Sequence, residues 1–350
     1  MTPQTPEMPP RHVTNATIAP MATERVLLLV HLNLKYAGMT EEEVEALRSA
    51  PPVPEGISDS ERAQLRAYDA WDARFEGHEA VAEIAAEALS LDPDCIDAYL
   101  AEWLTYIPDS LEPLRLASCA YQRAIAEINR RWPDGPDVDI WREIVNRPLV
   151  RALSAMAITN WETGELEDAI RVGKMALLVN PGDNLGMRWY LSLWHVIVED
   201  IAAARKLLQR YRHDDAAPFT FARALVEFAL KGPSRKARRL LAEAQESNSM
   251  LFHMLHSPDP ADDIMPDWDR YAHGSIEEAF QWRTLAWIAW DSVPDAIDWM
   301  HAVRGDDDFM RRSEDGVTKN IIRLAAAQGV SPSEILDSMR EIGVMRSDDE

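Results

Sequence analysis

The sequence from Trp161 to Ile170 reads WETGELEDAI, and its glycine and alanine return at a fixed spacing further along the chain. Alanines stand 34 residues apart, at Ala169, Ala203 and Ala237. Gly164 and Gly232 are two such periods apart, and each lies five residues before its alanine. Small alanines let two helices pack closely, and a glycine between two apolar runs favours a turn. The spacing therefore predicts helix–turn–helix repeats of constant length.

A period of 34 residues is that of tetratricopeptide repeats, in which helical hairpins stack into a right-handed solenoid. The rest of the sequence also has helical periodicity, and we find no alternating apolar pattern long enough for a strand. We therefore expect an all-α fold: a tetratricopeptide-like right-handed helical solenoid with an N-terminal helical extension and a C-terminal helical cap.

Breaks in this pattern divide the chain into four predicted parts. They are a disordered leader (1–22), an N-terminal helical region with a degenerate repeat (23–146), tetratricopeptide-like repeats (147–248), and a crossing loop with a C-terminal helical cap (249–350). Within the second part we expect a helical hairpin over 60–91, followed by an off-period insertion over 97–131.

The C-terminal part contains a tryptophan-rich helix, predicted over 276–290. Ser275 and Glu278 are three residues apart just before its apolar run, which predicts a capping box. The tryptophans of this region allow two interpretations, an aromatic platform for a peptide or a core packed against the last repeat. We favour the core, because the end of a helical repeat array exposes an apolar face unless it is capped.

Three stretches carry a family resemblance: RPLVR at 147–151, WETGELEDAI at 161–170, and NPGDNLGMR at 180–188. They resemble the tetratricopeptide-like family typified by the suppression-of-tumorigenicity proteins and related bacterial proteins. The resemblance implies an interaction scaffold without an established reaction. Some bacterial relatives carry a cysteine-rich, zinc-binding C-terminal module, and this chain has no cysteine after Cys119.

The composition excludes some partners. The chain has 36 Lys and Arg against 59 Asp and Glu, a formal net charge of -23 at pH 7 and a pI near 4.8. Binding of nucleic acid by the whole surface depends on neutralising phosphates, so we expect none, and a basic or neutral protein partner fits better. No apolar run predicts a membrane span. The two cysteines, Cys95 and Cys119, suit a reducing compartment, and we expect a cytoplasmic protein.

The first helix of each repeat is expected to line the concave groove. In this register the groove-facing, partner-binding set is Arg151, Ser154, Arg188, Ser192 and His195. Arginine matches the geometry of a carboxylate with two parallel donors, so the set predicts a site for an acidic group of a peptide. The alternative is that the arginines of this region pair internally with neighbouring acids such as Glu143, Glu162 or Asp183.

A second set falls on the outer helices and predicts a convex basic stripe. Its members are Arg171, Arg205, Arg235 and Arg239. The stripe would dock an acidic partner or acidic residues of the same chain, such as 306–308. The alternative is an ordinary solvated helix face.

His253 and His256 are followed by Asp259, Asp262 and Asp263, residue types that bind divalent metals. No established metal or catalytic motif supports this loop, so we assign no metal, no cofactor and no catalytic residue.

The sequence thus predicts a non-enzymatic intracellular scaffold that binds a peptide or protein segment in the groove of the solenoid. Two alternatives remain open: a metal-dependent hydrolase that uses the His253–Asp263 loop, and a self-associating structural protein.

Overall fold

The structure is a computed structural model that describes residues 18–40, 42–43, 51–105, 111–256, 272–305, 331 and 333. The regular secondary structure of these residues consists of α-helices with short 3₁₀- and π-helical turns, and no strand occurs among them. The predicted all-α class is confirmed.

The described α-helices are, in chain order, α1 (Ala22–Leu32), α2 (Asp59–Asp72), α3 (His78–Leu91), α4 (Ile96–Thr105), α5 (Glu112–Arg131), α6 (Arg147–Glu162), α7 (Leu166–Val179), α8 (Met187–Ile197), α9 (Ile201–Arg210), α10 (Ala217–Lys231), α11 (Arg235–Ser247), α12 (Ser249–Met254), α13 (Ile276–Asp291) and α14 (Ala296–Arg304).

These helices belong to two compact units. Among the described residues, the N-terminal unit ends at Met187 and the C-terminal unit begins at Arg188. The boundary lies at the start of α8, between two of the predicted repeats.

Helices of the N-terminal unit pack as hairpins. α2 packs on α3, α4 on α5, and α6 on α7. Neighbouring hairpins join through α3 with α4 and α5 with α6, and the first helices of the hairpins also touch, α2 with α4 and α4 with α6. Helices α4 and α5, which fall in the stretch 97–131 expected as an off-period insertion, therefore pack as a hairpin between the hairpins on either side.

The C-terminal unit also contains a tight hairpin, α10 with α11, and α9 packs on α10. The tryptophan-rich helix α13 covers α10 and α12, and α14 packs on both α10 and α13. Trp282 and Trp290 of α13 are fully buried. This burial bears out core packing for these two tryptophans.

The turns inside the three predicted repeats fall at Gly164, Glu199 and Gly232, and all have left-handed backbone, with φ of 85°, 60° and 62°. Gly164 and Gly232 thus occupy the predicted turns. Glycine is favoured there because a residue with a side chain adopts a positive φ only at a steric cost. The middle turn uses a glutamate instead.

Only one of the two hydrogen bonds of the predicted capping box forms at the start of α13. Ser275 Oγ accepts from Glu278 N at 3.2 Å, as expected for an N-cap. The Glu278 carboxylate does not return to Ser275, because Oε2 accepts from Gly274 N at 2.7 Å and Oε1 accepts from Ala217 N at 3.1 Å. It is a buried link between α13 and the start of α10.

None of the described helices is both long and apolar enough to cross a membrane. The predicted leader up to residue 17, the crossing loop over 257–271 and most of the final predicted helix lie outside the described residues.

Candidate functional site

Arg151, on α6, lies in a buried charge cluster of the N-terminal unit. Its Nε donates to Asp97 Oδ1 at 2.9 Å and its Nη2 to Asp97 Oδ2 at 2.5 Å. Nη1 donates to Glu24 Oε2 at 2.8 Å. Burial acts to lower the pKa of Arg151, but Asp97 and Glu24 together raise that pKa well above its ordinary value. The cluster therefore holds a charged guanidinium with no exposed surface.

Two more side chains contact the carboxylates of this cluster. Gln64 Nε2, on α2, donates to Asp97 Oδ2 at 2.7 Å, and Arg147 Nη1 lies 3.6 Å from Glu24 Oε1. Two arginines thus face two carboxylates. Buried charges are tolerated when they are paired and hydrogen-bonded in this way.

Helix α1 covers Arg151 and is tied to two other helices. Glu24 of α1 binds Arg151 on α6, and Arg25 of α1 pairs with Asp69 on α2. The π-helical turn that follows α1 is tied to α2 as well, because Lys35 Nζ and Tyr36 Oη each donate to the Glu61 carboxylate at 2.8 Å. Helix α1 is thus linked by ion pairs to both α2 and α6 of the same unit.

Arg188, the second predicted groove arginine, lies in the C-terminal unit beside Asp214. Its Nε donates to Asp214 Oδ2, which also accepts from Trp189 Nε1 at 2.8 Å. The guanidinium lies 4.7 Å from the centroid of the Trp189 ring and 5.5 Å from that of Tyr211. Arg188 is therefore held by an acid and two aromatic rings.

The other two predicted groove residues of this unit are buried. Ser192 Oγ donates to Trp189 O at 2.9 Å. His195 Nδ1 lies 3.6 Å from Asp200 Oδ2, in the turn that follows α8.

These contacts correct the predicted groove set. Arg151, Ser154, Ser192 and His195 are all buried, and Arg188 is mostly so. Internal pairing of the arginines is what the structure shows, although the partners are Asp97, Glu24 and Asp214 rather than the neighbours expected from the sequence. Only Arg188 of this set is partly exposed, so the set does not form the open groove surface that the sequence predicted.

The predicted stripe residues lie on exposed helix faces. Arg171 of the N-terminal unit pairs with Asp168 at 2.8 Å, and Arg239 of the C-terminal unit lies 3.4 Å from Glu243. Arg205 and Arg235 are exposed on α9 and α11 of the C-terminal unit. A docking role for the stripe stays a prediction.

The two histidines of the predicted metal loop lie beside basic side chains of α14. Arg304 Nη2 lies 3.2 Å from His253 Nδ1, and the His256 ring lies 4.7 Å from the His301 ring. Burial and Arg304 lower the pKa of His253, and burial is the main reason why the pKa of His256 falls to about 4. Asp259, Asp262 and Asp263 lie outside the described residues, and within the described part no three His, Cys, Asp or Glu side chains gather around a possible metal position.

A cleft of about 860 Å³ opens on the C-terminal unit. Its residues come from the turn between α8 and α9, the end of α10, and the turn between α13 and α14. Its apolar lining includes Val196, Ile201, Phe228, Val293 and Trp299. Trp299 stacks on Phe228 at 4.5 Å between ring centroids, which gives the cleft an aromatic wall.

The rim of this cleft is acidic. Glu199, Asp295 and Asp298 line it and are exposed, and the lining residues include no Lys, Arg or His. Glu199 and Asp295 both have left-handed backbone, with φ of 60° and 63°. Such a backbone costs a non-glycine residue about 1–2 kcal/mol, so these two turns hold their acids at a cost in stability.

The N-terminal unit has its own groove, of about 670 Å³, but that groove is rich in paired charges. Lys35 pairs with Glu61, and Arg123 lies 3.1 Å from Asp94. Glu127 accepts from Arg130 at 2.7 Å, and these contacts contribute to lowering the pKa of Glu127 to about 2. The groove therefore neutralises much of its own charge.

No family model matches this chain, and no curated protein or solved structure matches it either. The tetratricopeptide resemblance and the link to the suppression-of-tumorigenicity family stay predictions from the sequence.

Proposed function

We propose that this protein is a non-enzymatic scaffold of tetratricopeptide-like helical hairpins that binds a segment of another protein. The packing order in the N-terminal unit supports this proposal. Each hairpin touches the next through its first helix as well as through its second, as α2, α4 and α6 show. Stacked hairpins of this kind serve as binding platforms in repeat proteins.

The proposed binding surface is the cleft of the C-terminal unit rather than the groove expected from the sequence. In the N-terminal unit, α1 covers Arg151 and fixes Glu24 beside it. The cleft is concave and open, and its floor is apolar. A binding site of this size commonly combines an apolar lining with a few polar groups that set orientation.

The observation that carries the proposal is a partly exposed aromatic ring in the wall of the cleft. Trp299 remains partly exposed beside Phe228, whereas Trp282 and Trp290 of the same unit are buried. Partly exposed aromatic rings in a concave site are typical anchors for a protein partner.

We place the scaffold in the cytoplasm. Cys95 and Cys119 are both free thiols, which fits a reducing compartment.

Site-specific photo-cross-linking tests the proposed surface. A photoreactive phenylalanine analogue at Ala229, which is exposed and lines the cleft, is compared with the same analogue at Leu230, which is exposed and does not line it. We expect a defined protein adduct from position 229 in the native cell and none from position 230. Equal adducts at both positions, or none at either, would contradict the proposal.

A further inference from the structure

The cleft of the C-terminal unit differs from the groove of the N-terminal unit in how its acids are compensated. In the groove, Glu61, Asp94 and Glu127 each lie beside a lysine or an arginine. In the cleft, the described lining supplies three acids and no cationic side chain. Among its described lining residues, the cleft therefore has three acids that no lining cation neutralises, above an apolar floor.

This arrangement selects for one kind of side chain. Lysine and arginine have long aliphatic stems that pack on apolar surface while their charged ends reach an acidic rim. Opposite charges across an interface also increase the rate of encounter and exclude like-charged partners. An acidic segment would meet repulsion from Glu199, Asp295 and Asp298, and nucleic acid would meet it too.

We infer that the cleft binds a protein segment in which a lysine or arginine is flanked by apolar residues. This inference rests on the proposed function. The cationic end lies at the rim formed by Glu199, Asp295 and Asp298, and the apolar neighbours pack on Phe228 and Trp299. The net charge of -23 gives such a segment a long-range attraction as well.

Selection from a phage-displayed library of short random peptides tests this inference on the full chain. Enriched peptides are then synthesised, and their affinity is measured for the wild type and for three variants. Glu199→Lys with Asp298→Lys reverses the charge of the rim, Ala229→Arg fills the cleft, and Leu230→Arg adds the same charge next to it. Circular dichroism and urea unfolding confirm that each variant is folded.

We expect the enriched peptides to carry Lys or Arg beside apolar residues. Reversal of the rim should weaken their binding at least about tenfold, which corresponds to about 1.4 kcal/mol. Ala229→Arg should abolish binding, and Leu230→Arg should leave it unchanged. Affinity for the wild type should also fall with rising salt, because exposed charges are screened.

The outcomes separate the two proposals. One outcome is that Ala229→Arg abolishes binding, but the enriched peptides are neutral or acidic, or their affinity is unchanged by rim reversal and salt. This outcome would overturn the basic partner and leave the scaffold function standing. If Ala229→Arg left the affinity of the enriched peptides unchanged, or if no peptide were enriched, both proposals would be overturned. Binding that appears only as self-association of the chain in light scattering would replace the external segment by a second copy.

Discussion

The acids around Arg151 are compensated by buried cations, whereas the acids around the cleft are compensated by water. Glu24 and Asp97 are buried and share the guanidinium of Arg151, whereas Asp295 and Asp298 are exposed and have no cation beside them in the cleft lining. Burial makes an unpaired charge very costly, while water compensates an exposed one. The paired acids therefore link helices of the N-terminal unit, and the acids of the cleft remain exposed.

Removal of the buried cation should have the largest effect. Arg151→Met leaves the buried Asp97 and Glu24 carboxylates without their shared guanidinium, so we expect the free energy of unfolding to fall by about 3–5 kcal/mol. Urea unfolding followed by tryptophan fluorescence measures this loss.

Arg171→Met is the matched control, because Arg171 pairs with Asp168 on an exposed face of the same unit. An exposed pair contributes about 0–1 kcal/mol, so this variant should be nearly neutral. Equal losses for the two variants would remove the distinction between buried and exposed acids.

Much of the helical fold follows from local signals in the sequence. The stretch 147–248, predicted as repeats, contains α6 to α11. These helices were predictable because glycines at turns and alanines at helix contacts act between near neighbours. The hairpin of α4 and α5 was harder to predict, because its sequence departs from the 34-residue period while its packing follows the same plan. Packing depends on which faces meet, and a period detects only faces that repeat in register.

The candidate sites depend on contacts between distant residues, and the sequence predicted them poorly. Helical register places Arg151 on the face of α6 that meets the first helices of other hairpins. It does not show that Glu24, 127 residues earlier, covers it. The cleft was missed for the same reason, since its three turns are separated by long helices. The one local sign was the turn at 198–200, which lacks glycine.

A second test concerns the protonation of His256, a largely buried histidine of the C-terminal unit. His256 is kept neutral rather than paired: burial, Arg304 and His301 lower its pKa from 6.5 to about 4. Since the unfolded chain then binds a proton more readily than the folded chain, stability should be lost as the pH falls from 6.5 towards 4. The expected loss is about 2–3 kcal/mol over that range.

His256→Gln isolates this contribution. His273 acts in the opposite direction, because its hydrogen bond with Glu278 raises its pKa, so its stabilisation is present below pH 6.5 and is lost as the pH rises through the folded pKa. Because His273 is present in both proteins, its contribution cancels when urea midpoints at about pH 7 and about pH 4.5 are compared for wild type and variant. The variant should lose less stability on acidification; an identical loss would show that His256 is not responsible.

Glu199→Gly tests how much stability the protein loses by having a glutamate, rather than a glycine, at a left-handed position of the cleft. Glycine adopts φ of 60° without the steric penalty of a side chain, so we expect the free energy of unfolding to rise by about 1 kcal/mol. Thermal unfolding measures the change, and Gly164→Ala, at a left-handed glycine with open space around it, should lower stability by a similar amount. Destabilisation by Glu199→Gly would mean that the glutamate contributes to the fold.

Asp298→Asn should have the smallest effect on stability and is the strictest test of the comparison. Asp298 is exposed on α14 and lines an acidic rim, so removing its charge breaks no ion pair of the cleft lining and relieves some repulsion from Glu199 and Asp295. We expect the free energy of unfolding to change by less than about 0.5 kcal/mol, measured by urea unfolding at low salt. Asp97→Asn, beside Arg151, should lose several times more, about 3 kcal/mol, because it leaves a buried guanidinium with one carboxylate fewer. If Asp298→Asn were as damaging as Asp97→Asn, the acids of the cleft would be part of the folded framework, and their availability to a basic partner would have to be abandoned.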